Sequence, residues 1–278
     1  LNQTKELNHM KIKHIFTDMD GTLLDSHGSV SDTNHWSIYY SDLPITLVSA
    51  RSPSEMSNIV EKLQLTTPQI AFNGNLTFTQ NQFGLQIIDK NPLASETVSQ
   101  LLNYISTEFP NVSLNWYSLA HWYINKQDKG TFIQKAITGI EPKIKAFDGQ
   151  SEIYKIMMIV FDSQELLQLQ AQLNNLNIPN ISVQQSGQWY LEITSNNKTK
   201  ADAVQSILDN KNLDFQEIAA IGDGHNDIPL LQSAGLSIAV DNANSEVKKH
   251  VKMVVAKNTE HGVAEAISAI NTINEQVI

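Results

Sequence analysis

Short apolar runs punctuate the chain, with stretches of helical period between them. KIKHIF (11–16), PITLVS (44–49), QIAF (69–72), IAAIG (218–222), LSIAV (236–240) and KMVVA (252–256) are apolar at most positions. That is the pattern of strands buried on both faces of a parallel sheet, with helices as the crossovers. One such helix is predicted in SPSEMSNIVEKLQL, where Pro53 follows Ser52 as a first-turn proline and Ile59, Val60 and Leu63 share a face. From about residue 83 to 192 the pattern changes. VSLNWYSLAHWYI (112–124), EIYKIMMIVF (152–161) and ISVQQSGQWYLEIT (181–194) alternate over longer spans, and LASETVSQLLNYISTEF and SQELLQLQAQLNNL between them have helical spacing. These elements predict an antiparallel α+β module. Its place inside the parallel pattern predicts an α/β domain assembled from 11–82 and 193–278, with a second domain inserted over 83–192.

Composition narrows the class. With 278 residues, 41% of them hydrophobic, the chain is long enough for two domains with cores of their own. A formal net charge of −10, with the 19 Lys and Arg scattered, offers no footprint for nucleic acid. There is no cysteine, so disulfides and thiolate zinc sites are excluded and a reducing, cytoplasmic setting is expected. The start, LNQTKELNHMKIK, has no apolar core of signal-peptide type, and IMMIVF (156–161) is too short to span a bilayer. Neither nucleic acid nor membrane is expected as a partner, and the chain is expected to be a monomer or weak homodimer.

The stretch IFTDMDGTLLD (15–25) then raises a question, because it crowds carboxylates at the end of a buried strand. Open parallel sheets bind ligands at the carboxyl ends of their strands, which is where Asp18 falls. Three other strand ends carry reactive types: Ser49, Asn73 and Asp223. They are expected to converge on one rim. GDGHND (222–227) adds Asn226 and Asp227 in a Gly-rich turn. Taken singly, each is an ordinary turn or cap residue. Together, carboxylates from two strand ends, Asp18 and Asp223, are a donor set for a hard cation such as Mg²⁺. A calcium loop of the EF-hand kind is ruled out, since Gly21 stands fourth from Asp18 where such a loop needs glycine sixth. A D-x-D sugar-nucleotide enzyme would leave Lys200 and GDGHND without a role.

DMDGTLL (18–24), Ser49 in LVSAR, a lysine opening a helix in SNNKTKADAV, and GDGHNDIPLL (222–231) resemble, in order, the four motifs of the haloacid dehalogenase superfamily. FNGN (72–75) and HGVAEAI (261–267) are similar to its Cof-like phosphatases, which carry a large cap between the second and third motifs. The resemblance runs from about residue 11 to near the end. Two positions depart from it: Ser49-Ala50-Arg51 stands where Thr-Gly-Arg or Ser-Gly-Arg is usual, and Ala201 where glycine follows the lysine.

The resemblance implies a Rossmann-like parallel sheet core with an inserted α+β cap that selects the substrate. It also implies a Mg²⁺-dependent phosphatase acting on small phosphate esters such as sugar phosphates, pyridoxal phosphate or FMN. Asp18 would be the nucleophile and Asp20 the acid and base; Ser49 and Lys200 would bind the phosphate. Mg²⁺ would be held by Asp18, Asp223 and the backbone carbonyl of Asp20, with Asp227 and Asn226 orienting its waters. Asn73 belongs to the phosphate rim. Arg51 could bind a substrate anion or pair with Glu55 one turn on. Asp25 is assigned to the turn, and the Trp and Tyr of the inserted segment to sheet core. Of the two lysines in NNKTKADAV, helical geometry favours Lys200, within about 40° of Val204 and about 20° of Ile207, over Lys198, about 200° away. A phospho-acceptor signalling domain would also place aspartates around Mg²⁺, but it would need no inserted domain.

Overall fold

A computed structural model describes residues 11–277. In chain order the elements are β1 (His14–Thr17), α1 (Asp32–Tyr39), β2 (Ile45–Leu47), α2 (Pro53–Lys62), β3 (Gln69–Ala71), β4 (Leu76–Asn81), β5 (Gly84–Lys90), α3 (Ser95–Glu108), β6 (Ser113–Tyr117) and β7 (Trp122–Ile124). There follow α4 (Lys129–Thr138), β8 (Lys143–Ile144), β9 (Lys155–Ile159), α5 (Ser163–Asn175), β10 (Ile181–Gln185), β11 (Tyr190–Ser195), α6 (Lys200–Lys211) and β12 (Ile218–Gly222). The last are α7 (Ile228–Ser233), β13 (Leu236–Val240), α8 (Ser245–Lys248), β14 (Met253–Val255) and α9 (Gly262–Gln276). No helix among the described residues is long and apolar enough to cross a membrane. The chain divides into two compact units. The first takes the described residues up to Ala50, Ser57–Ile88 and those from Thr199 onward; the second takes Arg51–Met56 and Asp89–Lys198.

In the first unit a parallel sheet runs in the order β14-β13-β12-β1-β2. Every residue of β1, β2, β12 and β13 is buried, which is why these strands read as mostly apolar runs. Helix α6 covers this sheet with Ala203, Val204, Ile207 and Leu208, which pack with Phe16, Ile218 and Ala220. Together with Lys200 they recur at the spacing of one helix face. Val204, Ile207 and Leu208, each at most 4% exposed, contribute on the order of 2 kcal/mol apiece by leaving water. A reciprocal cap fixes where the helix begins: the Asp202 amide donates to the Thr199 hydroxyl, and the Asp202 carboxylate accepts from the Thr199 amide.

QIAF departs from its expected place. Instead of joining the parallel sheet as a full strand, β3 pairs antiparallel with β4 in a three-stranded sheet β3-β4-β5, and meets the extension of β2 through an isolated bridge, Val48 with Ile70. The cause lies in the turn that follows. Phe72, Asn73 and Gly74 take φ of 50°, 58° and 104°, three left-handed residues in a row, and this reverses the chain.

In the second unit six strands run in the order β10-β11-β9-β6-β7-β8, antiparallel except for the pair β7 and β8. Alternate residues of a strand point to opposite faces. One face, with Leu114, Trp116, Tyr123, Ile156, Met158, Leu191 and Ile193, forms a core with Val98, Leu101 and Ile105 of α3 and Leu166, Leu169 and Leu173 of α5. Trp116 and Tyr123 thus lie in sheet core, as the alternating pattern predicts. The opposite face carries Asn115, Tyr117, Lys155 and Glu192.

Candidate active site

Strand β1 lies between β12 and β2, and its ladder continues one residue past its end, where the Asp18 amide donates to the Ile221 carbonyl at 2.9 Å. The Thr17 hydroxyl donates to the carbonyl of Asp18 at 3.0 Å. These bonds set the Asp18 carboxylate at the strand end, where it is 8% exposed. Three residues on, the chain turns at Gly21 with φ of +81°, and a Cβ there would lie 2.5 Å from Asp223 Oδ2. Only glycine lets the two strand-end loops come this close. Thr22 then donates from its hydroxyl to Asp223 Oδ1 at 2.6 Å.

Asp227 ties the second loop to a lysine. Its Oδ2 accepts from the amides of Asp223 and Gly224 at 3.1 and 2.9 Å, while its Oδ1 accepts from Lys200 Nζ at 2.7 Å. Lys200 Nζ also donates to Asp18 Oδ1 at 2.6 Å. With both its oxygens engaged, Asp227 shapes the loop and orients the lysine. Lys200 is the first residue of α6, on its buried stripe, whereas Lys198 precedes the cap and pairs with Asp89.

Three carboxylates, those of Asp18, Asp223 and Asp227, place oxygens within 4.8 Å of one another around a single ammonium. Burial raises the Asp18 carboxyl well above the usual range; Lys200 draws it down, and Asp227 and Asp223 push it up. Burial likewise lifts Asp223 to about 6 against the Thr22 hydrogen bond, with Asp227 adding to the rise. For Lys200, burial favours the neutral amine, but Asp18 and Asp227 outweigh it and hold the ammonium above the ordinary lysine value. The cluster therefore has more acid than one lysine can balance. Its all-oxygen donor set and surplus negative charge fit a hard divalent cation, and Asp18, Asp223 and Asp227 could hold one.

The remaining expected residues fall into four places. Ser49 is buried, and its carbonyl accepts from the Asn73 amide at 2.9 Å; Asn73 Oδ1 in turn accepts from Asn226 Nδ2 at 3.0 Å. Ser49, Asn73 and Asn226 are thereby stitched together at the strand ends. Gly74, beside them, lies so close to α6 that a Cβ would be 2.2 Å from the Thr199 carbonyl oxygen. Asp20 is exposed in the turn after β1, bridged to Leu24. Arg51 is grouped with the second unit, as is Glu55, whose oxygens accept from Ser52 and Gln134. Asp25 sits in a turn, accepting from the amides of His27 and Ser29. Thr22 was not singled out in the sequence, although a hydroxyl one residue past the D-x-D-G run was a signal for it.

A model of the family described as haloacid dehalogenase-like hydrolase matches residues 15–267. The chain is 28% identical over 264 residues to a presumed phosphatase of Haemophilus influenzae, an alignment covering 92% of this chain and 97% of that protein. It is 26% identical over 289 residues to a Bacillus subtilis protein named 5-amino-6-(5-phospho-D-ribitylamino)uracil phosphatase, covering 93% and 98%. A solved haloacid dehalogenase-like hydrolase from Bacteroides thetaiotaomicron has a TM-score of 0.84 and 25% identity, covering 94% of this chain and 100% of that one. With its four motifs inside the matched span and its fold shared over 94% of its length, the chain belongs to the haloacid dehalogenase-like hydrolases, and is a phosphatase of their Cof-like kind.

Proposed function

We propose that the protein hydrolyses small phosphate monoesters through an aspartyl-phosphate on Asp18, with Mg²⁺ as cofactor. One observation carries the reading: Lys200 Nζ lies 2.6 Å from Asp18 Oδ1 and 2.7 Å from Asp227 Oδ1, in a cluster that also includes the Asp223 carboxylate. Asp18 attacks phosphorus as its carboxylate, and the bond from phosphorus to the ester oxygen breaks. Asp20 gives the leaving alcohol its proton and then takes one from the water that hydrolyses the acyl phosphate, freeing inorganic phosphate. Ser49 donates to a phosphate oxygen, and Lys200 offsets the repulsion between carboxylate and phosphate. Asn73 and Asn226 hold the rim, and Arg51 is assigned to a substrate anion. Asp18, Asp223 and the Asp20 carbonyl would hold Mg²⁺, with Asp227 supporting them. When bound, the cation cancels the surplus charge, keeps Asp18 ionised and draws charge from the phosphoryl oxygens.

The inserted segment, 83–192, is assigned to substrate selection as a cap, and the protein to the cytoplasm as a monomer or weak homodimer. Sugar phosphates, pyridoxal phosphate and FMN are the substrates to test first, together with a phosphorylated ribitylamino compound of the kind in the Bacillus relative's name. The test is release of inorganic phosphate from p-nitrophenyl phosphate and these esters, with Mg²⁺ and after chelation. Many turnovers that stop on chelation are expected. A single stoichiometric burst, or turnover indifferent to chelation, would overturn the reading.

A further inference from the structure

We propose that Asn242 and Asn258 are positioning residues for the reaction, which clasp the turn after β1 by its backbone and so fix where Asp20 stands when it protonates the leaving alcohol. The proposal rests on the phosphatase reading, which gives Asp20 that role, and it lies wholly within the first unit.

Asp18 needs no clasp, because it is buried and held by the ladder between β1 and β12. Asp20, two residues on, is exposed in a turn whose own bonds converge on one atom: the amides of Thr22, Leu23 and Leu24 all donate to the Met19 carbonyl, at 3.3, 3.0 and 2.8 Å. The carbonyls later in the turn must find donors elsewhere. Asn242 Nδ2 donates to the Gly21 carbonyl at 2.7 Å, and Asn258 Nδ2 donates to the Leu24 carbonyl at 2.7 Å. Gly21 follows Asp20 in the chain and Leu24 is its bridge partner, so the two side chains grip the backbone on both sides of Asp20. They are also joined to each other, since the Asn258 amide donates to Asn242 Oδ1 at 2.8 Å.

The clasp has a firm base. Asn242 stands two residues after β13 and Asn258 three after β14, and because β12 separates those strands from β1, both loops reach across the rim to the turn. The loop that carries Asn258 is fastened to α9: the Ala256 amide donates to Glu265 Oε2 at 2.7 Å, the Gly262 amide donates to the Lys257 carbonyl at 3.1 Å, and a Cβ on Gly262 would lie 2.1 Å from the Ala256 carbonyl oxygen. HGVAEAI (261–267) thereby gains a part in the site. The bond from Asn242 to Gly21 is exposed, so water replaces it when it is lost and stability changes little. A general acid is less forgiving, because it works only within hydrogen-bond reach of the oxygen it protonates, and a small displacement of Asp20 slows that step. Neutral amides hold the turn without adding charge to a cluster already rich in acid.

Steady-state kinetics on the full chain test this with p-nitrophenyl, phenyl and butyl phosphates, whose leaving groups need a proton increasingly in that order. Asn242→Ala removes both bonds of the side chain, whereas Asn242→Asp keeps the acceptor for the Asn258 amide and removes only the donor to Gly21. Both variants should lower kcat/KM less than about threefold on p-nitrophenyl phosphate and about tenfold or more on the most basic leaving group that the parent cleaves. Asn258→Asp, which loses the donor to Leu24, should show the same gradient. A role in folding alone, or in aiming the Asp20 carbonyl at Mg²⁺, would slow all three esters alike, the second with a raised Mg²⁺ requirement. Either result, or parent behaviour in Asn242→Asp, overturns the proposal. Amide hydrogen exchange supplies a readout independent of activity: Thr22, Leu23 and Leu24 should exchange about threefold faster or more in Asn242→Ala, with Tm nearly unchanged, and unaltered exchange refutes the clasp. If the parent releases phosphate from none of the esters, the phosphatase reading fails separately, and hydrogen exchange still decides whether the two asparagines hold the turn.

Discussion

Lys200 in the first unit and Lys155 in the second are both nearly out of water, with side chains 1% and 4% exposed, yet they are held differently. Lys200 donates at 2.6 and 2.7 Å to two carboxylates, one of them anchored by two backbone amides. Lys155 donates at 3.3 Å to Glu192, whose second oxygen is unpaired. Under the proposed function, the first is a preorganised reaction centre whose surplus negative charge a cation would complete. The second is looser, with one weak bond and one carboxylate oxygen left over.

Four measurements would break or sharpen that contrast. The largest effect is expected from Asp18→Asn, which keeps the shape but cannot attack phosphorus: turnover should fall by a factor on the order of 10³ or more with the fold intact. Activity within about tenfold of the parent would remove Asp18 from the role of nucleophile. Next comes stability, by urea denaturation of Lys200→Met and Lys155→Met. Stranding two buried carboxylates should cost about 4 kcal/mol, and stranding the more weakly bonded Glu192 about 2 kcal/mol. Equal losses would erase the distinction between the two lysines.

The third measurement separates neighbours. Lys200→Ala should lower kcat/KM about a hundredfold, roughly 2.7 kcal/mol of transition-state stabilisation, while Lys198→Ala changes it less than about threefold. The reverse order would refute the assignment of Lys200. The smallest effect concerns His14, a buried group of the first unit with no opposite charge. The Thr46 hydroxyl donates to the Pro68 carbonyl and so accepts from His14 Nε2, which leaves Nδ1 buried without a partner. Burial, then Lys211, lowers this imidazole to about 3. Below pH about 6.5 the unfolded chain takes up a proton that the native state refuses, so stability falls as pH drops from there toward 3. Between pH 6.5 and 5 the loss should be about 2 kcal/mol, and His14→Gln should flatten it. An unchanged pH slope in that variant would assign the loss to other groups.

Much of the first region was legible in advance, and less of the second. Asp18, Ser49 and Asp223 could be placed because each follows an apolar run, and the end of a buried strand is visible in one dimension. Lys200 could be chosen over Lys198 because Val204 and Ile207 mark the buried stripe of its helix. Glu192 gave no such signal. It occupies an alternating strand position that normally faces water, and nothing within a few residues shows that its partner is Lys155. The strand QIAF was visible, but its partner was not, because three left-handed residues at 72–74 turn the chain back on it.

By itself the sequence determined which segments are buried, at what period, and that carboxylates stand at the strand ends, since burial pattern and backbone preference are local properties of the chain. Only the tertiary structure decided that Asp227 spends both its oxygens on the loop amides and Lys200, that Thr22 reaches Asp223 across 201 positions, and that Glu192 keeps one oxygen unpaired. Hydrogen bonds and charge pairing depend on distances of a few ångströms between atoms far apart along the chain, and packing alone sets those distances.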